Sequence, residues 1–98
     1  MAKVVLHDEV LDDFDRILDH LSQFGVEDAS SRIGEITDAL AILETSPLIG
    51  RRAGSSLREL VIGTGTRGYV ALYEFHPDRE IVFILAIRSQ REAGYKHP

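Results

Sequence analysis

The chain has no cysteine. That excludes a disulfide framework, a thiolate metal site and a cysteine nucleophile, and it suits a reducing cytoplasm. No apolar run approaches the roughly 18 residues of a membrane-crossing helix, so no membrane partner is expected. The opening Met1-Ala2-Lys3-Val4-Val5-Leu6-His7-Asp8 turns acidic too soon for a signal peptide. A phosphate-cradling glycine loop is missing too. Gly63, Gly65 and Gly68 are spaced wrongly for one and read as turn residues. His7, His20, His76 and His97 lack metal-ligand spacing. Neither a metal nor any other cofactor is expected. Ser55-Ser56 has no neighbouring histidine and acid to activate it. There are no internal repeats and no low-complexity segments.

What is there is ordinary in bulk. Ninety-eight residues, 44% hydrophobic and 28% charged, suit one domain over residues 1–98 with one core. The net charge of −5 argues against strong nonspecific nucleic-acid binding. It hides an asymmetry. Residues 1–50 carry 3 Lys/Arg against 11 Asp/Glu, whereas residues 51–98 carry 8 against 5. All but one of those later cations are arginines, which suit bidentate recognition of carboxylates and phosphates. The chain therefore has an acidic half and an arginine-rich half.

Lys3 to His7 reads as a short strand. The period then changes: Val10, Leu11, Phe14, Ile17, Leu18 and Leu21 form an amphipathic helical stripe. Asp8 is a candidate N-cap, and Asp12-Asp13 reads as a solvated acidic pair near the helix start. Gly25 should end this helix. A second helix is expected from about Glu27 to Thr45, opening on the acidic pair Glu27-Asp28. Its stripe is Ala29, Ile33, Ile36, Leu40 and Leu43, and Ser46-Pro47 stops it. Residues 47–56 read as a loop.

Three strands should follow. The first is Leu57 to Ile62. The second is Tyr69 to Phe75, with Tyr69, Ala71, Tyr73 and Phe75 on one face. The third is Glu80 to Ile87, apolar on both faces and so expected to be central. The predicted architecture is α+β, in the order β-α-α-β-β-β: a helical hairpin on a mainly antiparallel four-stranded sheet.

The chemistry that stands out is a set of arginines and tyrosines. Arg51 and Arg52 fall in the loop, Arg58 starts a strand, Arg67 lies in a turn, and Arg88 and Arg91 leave the last strand. Tyr69, Tyr73 and Tyr95 add aromatic faces. Such a surface can hold RNA by charge and stacking. It can equally bind a protein, since arginine and tyrosine are enriched interface anchors. The bland alternative is that Arg58 and Arg88 pair internally with Glu59, Glu74 or Glu92.

Three stretches carry a resemblance. They are Leu57-Arg58-Glu59-Leu60-Val61-Ile62, Gly68-Tyr69-Val70-Ala71-Leu72-Tyr73-Glu74, and Ile81 to Ile87 running into Arg88-Ser89-Gln90-Arg91-Glu92-Ala93-Gly94-Tyr95. With the loop Glu44-Thr45-Ser46-Pro47-Leu48-Ile49-Gly50-Arg51 before them, they resemble the RelE/ParE superfamily of toxins from bacterial type II toxin–antitoxin modules. The resemblance covers essentially the whole chain, and it rests on the order and spacing of motifs that are individually weak.

The resemblance implies one of two activities. RelE-like members cleave mRNA on the ribosome with a basic set that includes an arginine directly after the Gly-Tyr pair. Here that position is Val70, and the preceding strand offers Arg58 but no lysine. Arg91 and Tyr95 match, so an endoribonuclease would use Arg58, Arg91 and Tyr95 as its catalytic residues. ParE-like members inhibit DNA gyrase by binding it, and serve in plasmid stabilisation. Val70 fits that branch better.

The expected target-binding set is Arg58, Tyr73, Arg88, Arg91 and Tyr95. Ser89 stands where relatives usually have histidine, which leaves a non-toxic antitoxin-binding module as a further reading. In every case the implied partner is a cognate antitoxin, ParD-like for the ParE branch, forming a hetero-oligomer along an apolar groove on the hairpin and the sheet edge.

Overall fold

The computed structural model describes residues 1–23, 29–92 and 94–95. The expected helix end at Gly25, the helix start at Glu27, the pair Glu27-Asp28, and His97 lie outside them. Strand β1 spans Lys3–Leu6, and helix α1 spans Asp8–Gln23. Helix α2 spans Ala29–Ala41 and tightens into a 3₁₀ turn at Ile42–Glu44. Strands β2 (Arg51–Arg52), β3 (Leu57–Ile62), β4 (Tyr69–His76) and β5 (Ile81–Ser89) follow. The sheet order is β1-β5-β4-β3-β2, antiparallel throughout except for β1 against β5.

The α+β order holds, with one more strand than expected. Arg51 and Arg52 are not loop but a short edge strand, paired with Glu59 and Arg58. Two-residue edges of this kind limit further strand pairing. The last strand is internal, as its two-sided apolarity demanded, and it runs two residues further than expected to include Arg88 and Ser89.

The α1 stripe buries Val10, Ile17 and Leu21, while Leu11 turns outward at 56% exposed. His7 rather than Asp8 precedes the first turn. Its carbonyl accepts the Val10 N–H, and its Nδ1 accepts the Glu9 N–H at 3.3 Å. The helices cover one sheet face. Val10, Ile17, Leu21, Ile36, Leu40 and Leu43 meet Ile62, Tyr69, Ala71, Tyr73, Val82, Ile84 and Ile87 there.

A bulge in β5 makes that face possible. Leu72 pairs with Ala86 and Tyr73 with Ile84, so Leu85 is the extra residue. The skipped position lets Ile84 and Ile87, three apart, both enter the core. It also sends Ala86 and Arg88 to the opposite face, beside Val70 and Leu72.

Candidate functional site

The exit of β5 is held by α1. Asp13, expected in solvent, is fully buried. One carboxylate oxygen accepts the Ile87 N–H at 2.9 Å and the other accepts from Arg16 at 2.6 Å. Arg16 reaches on to Glu92 through Nε at 2.8 Å and donates to the Ile87 carbonyl at 3.1 Å. Glu92 in turn accepts the Ser89 N–H at 2.7 Å. The Ser89 hydroxyl oxygen accepts the Arg91 N–H at 3.1 Å.

The turn that follows β5 is thus pinned to the helix by a chain of charge-assisted bonds. Asp13 lies three residues after Val10 and four before Ile17. That spacing already places it inside the apolar stripe, and it was the available signal.

A second cluster lies on the sheet face away from the helices. Arg51, Glu59, Leu72 and Ala86 align across four strands, and Val61, Val70 and Arg88 form the next row. The Tyr95 ring returns over this face. Arg88 sits 5.1 Å from its centroid, and its hydroxyl donates to Glu59 Oε2 at 2.6 Å. Arg51 donates to Glu59 Oε1 at 3.0 Å.

Burial alone would raise the Glu59 carboxyl. The hydrogen bonds from Tyr95 and Arg51, with the charges of Arg51 and Arg88, outweigh it and hold the group below the ordinary range. Burial, reinforced by the Glu59 hydrogen bond and charge, pushes the Tyr95 phenol well above its ordinary value. The Val70 and Ala86 side chains of this face are buried.

The expected target-binding residues divide. Arg88, Arg91 and Tyr95 gather at the β5 exit. Arg91 is exposed, and its guanidinium makes no hydrogen bond or ion pair among the described residues. Arg88 donates to the Ser89 and Glu92 carbonyls rather than to a carboxylate, and its Nε is buried without a partner among the described residues.

Tyr73 needs correction as a contact residue. It faces the helices, is fully buried, and holds the loop before β2: its hydroxyl donates to Pro47 O at 2.8 Å and accepts the Gly50 N–H at 2.9 Å. Arg58 serves the same loop, donating to the carbonyls of Leu48 (3.2 Å) and Gly50 (2.8 Å). These two shape the fold beside the site. Glu59, expected only as a possible internal partner of Arg58 or Arg88, stands at its centre and bonds Arg51 and Tyr95 instead.

The chain matches the family model of the ParE toxin of type II toxin–antitoxin systems, parDE, over residues 4–94. The chain belongs to the ParE toxin family. Among the curated proteins, none matches it. The match takes in both helices, all but the first residue of the sheet, and the turn after β5. It is therefore a toxin of a type II system, whose partner is an antitoxin. In this ParE-family toxin no helix among the described residues is long and apolar enough to cross a membrane.

Proposed function

We propose that this ParE-family toxin acts by binding DNA gyrase directly, with Arg88, Arg91 and Tyr95 as the contact residues. The observation that carries this reading is the state of Tyr95. Its hydroxyl is spent on Glu59 and its phenol is pushed upward, so it is a poor proton donor near neutrality. Val70, where an RNA-cleaving member would place an arginine, is a fully buried apolar residue. A phosphorane would find little charge stabilisation here. A surface of mixed charge around aromatic and aliphatic groups suits a protein partner instead.

A ParD-like antitoxin would silence the toxin by covering apolar surface. Leu6 on the outer edge strand β1, Leu11 on α1 and Ile42 after α2 are all exposed, at 38%, 56% and 48%. They offer a helix or an extended segment apolar anchors beside an open sheet edge.

Purified gyrase decides the target. Supercoiling should cease when the folded toxin is added in stoichiometric excess and resume when the antitoxin is added. Undiminished supercoiling in the presence of folded toxin overturns the proposal.

A further inference from the structure

We infer that Glu59 is a specificity-determining residue, a built-in counter-anion that closes the Arg51–Arg88–Tyr95 cluster to nucleic-acid phosphates. The inference deepens the reading of this face as a protein-binding one and rests on it in that respect. Two guanidinium groups, a phenol hydroxyl and a half-buried aromatic ring are a donor set that recognises a phosphate and stacks a base. In this toxin both oxygens of one carboxylate occupy it. Oε1 takes Arg51 at 3.0 Å and Oε2 takes Tyr95 at 2.6 Å.

The carboxylate cannot easily withdraw. Glu59 sits in the middle of β3, flanked by β2 and β4, and its side chain is 16% exposed. A phosphate that reached Arg51 or Arg88 would stand beside this negative charge and lose most of what the arginines offer. The same carboxylate leaves a protein partner free to use the exposed Arg91. The residue that holds the Tyr95 hydroxyl therefore also selects against nucleic acid.

The test is binding of a labelled single-stranded oligouridylate at low salt. The intact chain is compared with Glu59→Gln and with Asp78→Asn, which removes the same charge from the exposed β4–β5 turn at the other end of the sheet. Glu59→Gln should bind at least about tenfold more tightly than either, which corresponds to about 1.4 kcal/mol. Its salt dependence should steepen by about 0.7 per phosphate engaged. The gain should vanish when Arg51→Gln and Arg88→Gln are added.

Equal binding by Glu59→Gln and Asp78→Asn overturns the inference, as does a gain that survives loss of both arginines. If circular dichroism shows Glu59→Gln unfolded, Glu59→Ala replaces it with the same expectations. Gyrase inhibition by the unaltered toxin is measured separately, so loss of the target reading and loss of this inference are told apart.

Discussion

The Asp13 carboxylate on α1 accepts the backbone N–H of Ile87 on β5, 74 positions away in the chain, at 2.9 Å. It is a buried acid that joins the first helix to the last strand, just before the turn that carries Arg91. Asp13→Ala should cost about 1–3 kcal/mol, because it leaves the Ile87 N–H unpaired and removes one of the two carboxylates that Arg16 bonds. Asp13→Asn should cost less. Urea unfolding of the two variants measures both, and a cost below about 1 kcal/mol for alanine would show that the network is dispensable.

Gly50 lies against Tyr73. A Cβ there would stand 2.6 Å from the Tyr73 ring and 2.7 Å from the Glu59 carbonyl oxygen, so two backbones and a ring would have to part. Gly50→Ala should destabilise by about 1–3 kcal/mol. Tyr73→Phe should cost a similar amount, since the Gly50 N–H and the Pro47 carbonyl lose their shared hydroxyl. The double variant should cost less than the two separately, as expected for residues in contact.

Titration should reveal the Glu59–Tyr95 contact from both sides. Glu59 is held below its ordinary value of 4.5, so the stability it adds is present above that pH and is lost as pH falls through the folded value. Tyr95 is raised above its ordinary value of 10.0, so its contribution is complete below that pH and is lost as pH climbs through the folded value. Ultraviolet titration of the tyrosines should therefore show a late phenol. In Glu59→Gln that phenol should move down, but not fully to the ordinary value, because burial remains. An unmoved phenol would mean that Glu59 does not hold Tyr95 in solution.

Under the gyrase proposal, Arg91 should separate recognition from folding. Its exposed guanidinium supports nothing among the described residues, so Arg91→Ala should change stability by no more than about 0.5 kcal/mol. Under the gyrase proposal it should weaken inhibition by about 1–3 kcal/mol of binding, the range of an arginine interface anchor. Dose–response curves for supercoiling inhibition, paired with thermal melts, read both numbers. Unchanged inhibition would remove Arg91 from the contact set.

Much of the fold was legible because period is a local property. The three-and-four spacing of Val10, Phe14, Ile17 and Leu21 placed α1. The alternation of Tyr69, Ala71 and Tyr73 placed them on a common face, but that this face meets the helices came from the tertiary structure. The two-sided apolarity of the last strand marked it as internal. The short strand at Arg51–Arg52 was not legible: two arginines among glycines carry no strand pattern, and only pairing with β3 makes them one. The Leu85 bulge was equally invisible, since an unbroken apolar run gives no sign of which residue is skipped.

The site divides along the same line. Sequence by itself determined the family motifs, the arginine and tyrosine inventory, the acidic and basic halves, and the absence of an arginine at Val70. Each is a matter of residue type and order. The tertiary structure decided what those groups do. It buried Asp13 as the anchor of the strand exit, turned Tyr73 and Arg58 to the loop before β2, and set Glu59 between Arg51 and Tyr95. A charge gains or loses its role from what lies within a few ångströms of it, and those neighbours come from strands and a tail far apart in the chain.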